Sequence, residues 1–277
     1  MDYKMIVTDL DGTLLNDDKK ITENDIYILN KLHNEGIPIV IATGRNYFMA
    51  KNLIQQIKNI NPVILANNGA IIRRSETDEV LEQNYLNYQY FEEIYYQGLK
   101  YGLNPVVHVD EYINGYDVIY ENENIEEFYL GYIKKDDTRT KLKKFTSNTI
   151  NNILSVCYLA DFHKLQDFYH EMKKEGNGKF NSLCNLNIGK RAMIEFLHPD
   201  GCKWRAIKKF SESLNIKPES IISFGDDNND IEMLKNSGMG IAMINGTNEC
   251  IKAGNKTSEF DNNNSGVSHE LRKLFHI

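Results

Sequence analysis

Two aspartates stand two residues apart near the start of the chain, in the segment MIVTDLDGTLL. Asp9 follows an apolar run, and Asp11 precedes Gly12, which lets the chain turn sharply. Like charges held within a few ångströms raise one another's pKa, so a cluster of such groups stays ionised only beside a cation. One carboxylate can then act as a nucleophile while the second exchanges protons with the leaving group and with water.

Other apolar runs also end in polar residues. They are rich in Val and Ile and read IPIVIATG (37–44), VILANNG (63–69), IISFGDD (221–227) and, more weakly, GIAMING (240–246). Continuous apolar character is typical of strands buried on both faces of a parallel sheet. Ligands gather at the carboxyl ends of such strands, so we expect four distant residues to converge: Asp9, Thr43, Asn67 and Asp226.

The acidic residues after the 221–225 run would complete the cluster. At least one of Asp226, Asp227 and Asp230 is expected beside Asp9. Oxygen ligands without a matching His or Cys favour Mg²⁺, which keeps several waters and often binds a substrate phosphate. The sequence therefore predicts a magnesium site.

Helix-like segments separate the apolar runs. Thr22 and Asp25 resemble a capping pair, apolar residues then recur at helical spacing, and Gly36 stands where a helix would stop. Similar patterns follow Trp204 and Asn228. Alternating strands and helices predict a doubly wound α/β fold, Rossmann-like, with a parallel sheet.

The middle of the chain has a different character. Residues 84–191 are rich in tyrosine and contain no acidic strand end. We interpret them as an inserted α/β domain, with 1–83 and 192–277 forming the catalytic core. Its tyrosines are expected to be half-buried sheet residues rather than a platform for stacking bases.

Phosphoryl transfer is the chemistry that this residue set suits. Charge on the equatorial oxygens of the transferred group needs fixed donors and cations. Thr43 and the backbone N–H of Gly44 can donate to one oxygen, Lys203 can supply positive charge, and Asn229 can donate as well.

Four motifs carry a resemblance to a known family. DLDGTLL (9–15), IATGR (41–45), DGCKWRAI (200–207) and GDDNNDIEML (225–234) resemble, in order, the motifs of the haloacid-dehalogenase superfamily of phosphatases. GIAMING (240–246) and TSEFDNNNSGVSHEL (257–271) resemble segments of its Cof-type subfamily. Members of that subfamily carry a large α/β cap between motifs two and three, where 84–191 lies.

The resemblance implies roles for individual residues. Asp9 would be the nucleophile and Asp11 the general acid and base. The phosphate would be held by Leu10, Thr43, Gly44, Lys203 and Asn229. Mg²⁺ would be held by Asp9, the backbone carbonyl of Asp11 and Asp226, with Asp230 supporting the metal shell.

Two residues depart from the family pattern. Trp204 replaces the small residue that usually follows the motif lysine, and we expect it to affect the choice of substrate more than catalysis. Gly246 replaces an alanine after Asn245.

Composition limits the classes of function. The net charge of −7 argues against a protein that neutralises nucleic-acid phosphates. No apolar run is long enough to cross a bilayer, no signal peptide is apparent, and the cysteines are widely spaced, so we expect a soluble, cytoplasmic protein. The sequence leaves its oligomeric state open.

Several alternatives stay open at this level. An isolated Asp-x-Asp pair is more often a polar turn than an active site. Asp200, Asp227 and His198 are interpreted as loop residues, and Arg45 could brace its loop or touch substrate. The leading hypothesis is a Mg²⁺-dependent phosphatase for a small phosphate monoester such as a sugar phosphate. A sugar phosphomutase of the same superfamily and a non-catalytic sensor of phosphorylated metabolites are the alternatives.

Overall fold

A computed structural model describes residues 3–124, 129, 138–188 and 191–277. The chain divides into two compact units, the first made of Met1–Gln83 and Cys202–Ile277, the second of Asn84–Gly201. The sequence analysis ended the inserted domain at residue 191, whereas the second unit of the structure extends to Gly201. The difference arises because Arg191–Leu197 forms a strand that pairs with Asn181–Ile188 and Ile153–Ala160 of the second unit.

The strands, in chain order, are β1 (Met5–Thr8), β2 (Ile39–Ala42), β3 (Val63–Ala66), β4 (Ile71–Arg74), β5 (Val80–Gln83), β6 (Val106–Val109), β7 (Val118–Tyr120), β8 (Thr140–Leu142), β9 (Ile153–Ala160), β10 (Asn181–Ile188), β11 (Arg191–Leu197), β12 (Ile221–Gly225), β13 (Met239–Ala242) and β14 (Lys256–Thr257). The helices are α1 (Glu23–Asn34), α2 (Tyr47–Ile54), α3 (Tyr88–Lys100), α4 (Phe162–Glu175), α5 (Lys203–Ser213), α6 (Ile231–Asn236), α7 (Asn248–Ala253) and α8 (Gly266–Phe275). These bounds cover the described residues.

The first unit is built on one sheet. Among the described residues its strand order is β14-β13-β12-β1-β2-β3-β4-β5. The pairs from β14 to β3 are parallel, which confirms the predicted α/β fold, and every residue of β1 and β2 is buried. Strands β4 and β5 are antiparallel and were not predicted. They arise because a turn at Asn67–Gly69 sends the chain straight back along β3.

Helix ends in this unit follow the expected local chemistry. The side chain of Thr22 caps α1 by accepting a hydrogen bond of 3.2 Å from the backbone N–H of Asp25. Gly36 follows the helix with a φ of +90°, which favours glycine. Helix α5 packs its apolar face, through Ala206 and Ile207, against the central strands. That packing fixes the position of Lys203 in the first turn of α5.

The second unit has its own sheet and core. Among the described residues the strand order is β10-β11-β9-β6-β7-β8, with α3 and α4 packed against it. The prediction that the tyrosines at 88, 90, 95 and 96 lie in a sheet was wrong, because they belong to α3. Tyr88, Tyr90 and Tyr95 still pack, half-buried, against the apolar core of the unit.

Helix length and polarity bear on membrane insertion. Across the described residues, no helix combines the length and apolar character that a bilayer crossing requires.

Candidate active site

Parallel pairing brings the acidic strand ends together. Thr8 pairs with Phe224 on one side and with Ile41 on the other, so the ends of β1, β2 and β12 lie side by side. Asp9 and Asp226 directly follow two of these strands. Carboxylate oxygens of Asp9, Asp226 and Asp230 all lie within 4.8 Å of one another. Asp9 therefore lies beside two acids that follow β12, while the meeting of Thr43 and Asn67 with them stays a prediction.

Lys203 joins this cluster from the first turn of α5. Its Nζ donates to Asp9 Oδ1 at 2.7 Å and to Asp230 Oδ1 at 2.6 Å. The lysine side chain is fully buried, so both contacts lie away from water. A buried charge-assisted bond of this kind is strong, and removing one partner is costly.

Each acid at the end of β12 is held by further bonds. Thr13 donates its hydroxyl to Asp226 Oδ1 at 2.8 Å. The backbone N–H groups of Asp226 and Asp227 donate to Asp230 Oδ2 at 3.0 and 3.2 Å. Asp230 therefore serves as a fixed acceptor between the end of β12 and Lys203.

Burial and mutual repulsion shift the pKa values of the cluster. Burial raises the pKa of Asp9 well above its usual range; Lys203 opposes the rise, while Asp230 and Asp226 add to it. Burial, followed by repulsion from Asp230, raises the pKa of Asp226 to about 7. Although burial lowers it, the pKa of Lys203 is raised by the charges of Asp230 and Asp9. Three carboxylates with one ammonium group leave an excess of negative charge.

A divalent cation fits this excess charge. The three carboxylates of the cluster offer only oxygen atoms, the ligands that hard cations such as Mg²⁺ prefer. Lys203 is shared between Asp9 and Asp230, while Asp226 accepts a hydrogen bond from the neutral hydroxyl of Thr13. The donor set is therefore suited to an oxygen-bound metal.

Gly12 makes the close approach of Asp226 possible. Its φ is +76°, and a Cβ atom at this position would lie 2.3 Å from Asp226 Oδ2. Asn245 ties down the same turn by donating from Nδ2 to the carbonyl of Gly12 at 2.7 Å. The turn after the two aspartates therefore requires glycine for both backbone shape and space.

Asp11 lies outside the three-carboxylate cluster and has its own cations. Arg45 donates from Nε and Nη2 to its two oxygens at 2.5 and 2.7 Å, and Lys19 Nζ donates at 2.7 Å. Burial alone would raise the pKa of Asp11, but hydrogen bonds from Arg45 and Lys19 lower it. The sequence had left Arg45 outside the catalytic set, and the structure shows it in direct contact with Asp11.

Thr43 is arranged as a donor. Its Oγ1 accepts the backbone N–H of Arg45 at 3.1 Å, and a hydroxyl that accepts one hydrogen bond can still donate another. Its backbone N–H donates to Leu65 O at 2.9 Å, which ties it to β3. Gly44 follows and is partly exposed.

Asn229 and Leu10 complete the set predicted from the sequence. Asn229 lies in a short turn before α6 and donates from Nδ2 to Asn68 Oδ1 at 2.9 Å. Leu10 is fully buried, and its carbonyl accepts the backbone N–H of Leu15 at 2.8 Å. Sequence reasoning missed the contacts of Thr13, Asn68 and Asn245, because local motifs do not show which distant residue a side chain reaches.

Neighbouring residues have structural roles. The Sγ of Cys202 caps α5, and burial raises the pKa of this thiol to about 11, which argues against a thiolate nucleophile. Asp227 forms a reciprocal cap with Asp230. Trp204 packs, half-buried, against the apolar core of the first unit. A Cβ atom on Gly246 would lie 2.7 Å from the carbonyl oxygen of Asp226, which accounts for glycine there.

A second acidic group lies in the first unit, at Glu259, His269 and Glu270. Lys273 and His269 pair with Glu259, and Lys256 pairs with Glu270. Its charges are therefore already balanced by side chains, unlike those around Asp9.

A family model for haloacid dehalogenase-like hydrolases matches residues 6–271. The chain belongs to this family. The Cof-type resemblance of its motifs agrees with that membership.

Relatives of known name match over the whole length. YxeH of Bacillus subtilis, provisionally named a phosphatase, is 28% identical over 98% of each chain. YitU of Bacillus subtilis, named a 5-amino-6-(5-phospho-D-ribitylamino)uracil phosphatase, is 26% identical over 99% of this chain and 98% of its own. A haloacid dehalogenase-like hydrolase from Bacteroides thetaiotaomicron has a solved structure with a TM-score of 0.80 and 24% identity, covering 99% of this chain and 100% of its own. That likeness shows the shared fold.

Proposed function

We propose that this haloacid dehalogenase-like hydrolase is a Mg²⁺-dependent phosphatase that cleaves a small phosphate monoester through an aspartyl phosphate on Asp9. The observation that carries the proposal is the buried contact of Lys203 with both Asp9 and Asp230, beside Asp226. A lysine so placed can bind a phosphate oxygen next to the carboxylate that attacks phosphorus.

The residues that would hold Mg²⁺ are Asp9, Asp226 and the backbone carbonyl of Asp11, with Asp230 supporting them. A bound Mg²⁺ supplies positive charge to the phosphate oxygens and relieves repulsion among the carboxylates. Asp230 remains bound to Lys203 and to two backbone N–H groups, which keeps the lysine aimed at Asp9.

In the first step a carboxylate oxygen of Asp9 forms a bond to phosphorus as the bond from phosphorus to the ester oxygen breaks. Asp11 gives its proton to that leaving oxygen, and an alcohol departs. The hydroxyl of Thr43 donates a hydrogen bond to a phosphate oxygen, while Lys203 balances negative charge on the phosphate oxygens. Donors that are already fixed around the phosphate oxygens lower the cost of developing charge there.

In the second step water attacks phosphorus, and the bond to Asp9 breaks to release inorganic phosphate. Asp11, now ionised, takes the proton of that water. The pairing of Asp11 with Arg45 and Lys19 favours its ionised form, which suits this base step. For the first step Asp11 must take up a proton and loosen these contacts.

The substrate class follows from the site and from named relatives. The proposed phosphate donors Lys203, Thr43 and Asn229 suit a ligand with a single phosphate group. YitU and YwtE of Bacillus subtilis are both named phosphatases of 5-amino-6-(5-phospho-D-ribitylamino)uracil, which carries a phosphorylated ribityl chain. We propose sugar phosphates and sugar-alcohol phosphates as the first substrates to test.

The test is phosphate release by the purified protein from p-nitrophenyl phosphate and from a panel of such metabolites, with Mg²⁺ and with EDTA. We expect release only with Mg²⁺, and a loss of more than about 10³-fold in Asp9→Asn. The exposed Asp18→Asn change serves as the matched control and should keep full activity. Full activity in Asp9→Asn, or equal activity in EDTA, would contradict the proposal.

A further inference from the structure

The turn Asn67–Gly69, here called the asparagine turn, has an unusual backbone. It follows β3 at the same sheet edge as Thr43, and its three residues have φ values of +46°, +55° and +87°. Positive φ is uncommon for residues other than glycine, although asparagine tolerates it better than most. Two successive asparagines in this conformation need contacts that hold them there.

The asparagine turn is hydrogen-bonded to the segment that carries Thr43. The backbone N–H of Asn68 donates to Thr43 O, and that of Asn67 donates to Arg45 O, each at 2.9 Å. A Cβ atom on Gly44 would lie 3.4 Å from both end atoms of the Asn68 amide. The Asn68 side chain therefore lies directly against the backbone proposed to donate to phosphate.

The same turn also abuts the helix that carries Lys203. A Cβ atom on Gly69 would lie 2.7 Å from Ala206 Cβ and 2.8 Å from Cys202 O. The asparagine turn is thus in close contact with two of the segments that hold proposed phosphate ligands, and its shape sets their separation.

Asn68 reaches a third segment through its side chain. Asn229 Nδ2 donates to Asn68 Oδ1 at 2.9 Å. Of the two protons on Nδ2, one is occupied by this bond and the other can be given to an anion. With Asn68 Oδ1 at this contact, the nitrogen end of Asn229 is favoured there, because its carbonyl oxygen would be repelled. The bond therefore couples the orientation of the Asn229 amide to that of the Asn68 amide.

We infer that Asn68 is a positioning residue of the phosphate site, whose side-chain oxygen holds the amide of Asn229 so that its nitrogen faces bound phosphate. A tight reversal after β3 needs no such bond, because glycine would satisfy the backbone alone. This inference rests on the proposed phosphatase function, and it deepens that function by adding a residue that acts through another.

The test is a double-mutant cycle on kcat/KM, with Asn68→Gly, Asn229→Ala and the double variant. Glycine keeps the positive φ, so Asn68→Gly removes the side chain with little change in backbone preference. We expect each single change to lower kcat/KM by about 10- to 100-fold. The double variant should be no worse than Asn229→Ala within about 2-fold, because the two residues act as one unit.

The matched control is Asn59→Gly, an exposed asparagine with a φ of +74° in the same unit. It should leave kcat/KM unchanged. Circular dichroism and the melting temperature of each variant report folding separately from activity. Losses that multiply in the double variant, or an active Asn68→Gly protein, would overturn the inference.

A second measurement separates this inference from the proposed function. Inorganic phosphate is titrated into each protein with Mg²⁺ by calorimetry, which needs no turnover. Asn68→Gly and Asn229→Ala should weaken phosphate binding by the same factor. Wild-type protein that binds phosphate without hydrolysing any ester would refute the phosphatase, while equal weakening would still support the role of Asn68. Unequal weakening would reject that role.

Discussion

Arg45 grips Asp11 with two guanidinium nitrogens, at 2.5 Å from Nε to Oδ2 and 2.7 Å from Nη2 to Oδ1. This two-point contact joins the segment after β1 to the segment after β2. It fixes the direction of the carboxylate as well as its charge, which a single lysine cannot do.

Arg45→Met should lower turnover because the ionised Asp11 would no longer be oriented to take the proton of the attacking water in the second step. A misplacement of about 1 Å can cost on the order of 10²-fold in rate. Arg45→Lys should restore little of this loss, since one ammonium group cannot replace the planar fork. Steady-state kcat at saturating Mg²⁺ is the measurement. Arg74→Met, which removes an exposed arginine paired with Glu79, is the control and should leave kcat unchanged.

Lys203→Met should affect both activity and stability. Turnover should fall on the order of 10²-fold or more, because the developing charge loses its cation. Two buried carboxylates also lose their partner, which should lower the free energy of unfolding by about 3–5 kcal/mol without metal. Urea unfolding with and without Mg²⁺ should show that the metal recovers part of this loss. The exposed Lys209→Met on the same helix is the control, and comparable losses there would exclude a specific role for Lys203.

Gly12→Ala should impair metal binding, because its Cβ would collide with Asp226. In wild-type protein, Mg²⁺ at about 100 times its dissociation constant should stabilise the fold by about 2.7 kcal/mol. That stabilisation, seen as a rise in melting temperature, should be largely lost in the variant. Gly36→Ala is the matched control, with a φ of +90° and nothing within 4 Å of the added Cβ. It should cost stability while keeping its full response to Mg²⁺.

Stability at acid pH should depend on His108 in the second unit. Burial lowers the pKa of this histidine to about 4, whereas an unfolded histidine titrates near 6.5. Below about pH 6.5 this histidine therefore binds a proton in the unfolded chain but stays neutral in the folded chain. The free energy of unfolding consequently decreases as pH falls from about 6.5 towards 4. The loss attributable to His108 should be on the order of 3 kcal/mol.

Urea unfolding followed by circular dichroism between pH 7.5 and 4.5 measures this slope. His108→Gln should flatten it, whatever the variant does to absolute stability. The exposed His163→Gln, also in the second unit, should keep the wild-type slope. An unchanged slope in His108→Gln would assign acid sensitivity to other groups.

The sequence predicted the parallel strands of the first unit well, because continuous apolar runs such as those before Asp9 and Asp226 indicate strands buried on both faces. Thr22 and Gly36 likewise marked the ends of α1 through local hydrogen bonding and backbone preference. These signals are local, so a single sequence contains them.

What the sequence missed depends on distant partners. Nothing near Arg45 shows that its guanidinium reaches Asp11 rather than solvent or substrate. Strand β11 resembles any apolar strand, and only its pairing with β9 and β10 assigns it to the second unit. The tyrosines of α3 were assigned to a sheet because aromatic residues are enriched in strands. In the structure they lie in a helix, and three of them pack against the core of the second unit.

The place of β1 in the sheet has a consequence for synthesis of the chain. Its neighbours are β2, which follows soon after, and β12, where Met5 pairs with Ile221. While the ribosome makes the residues in between, the backbone on one side of β1 has no strand to pair with. Such an edge can pair with other nascent chains. We therefore expect the growing polypeptide to need chaperone protection until β12 emerges.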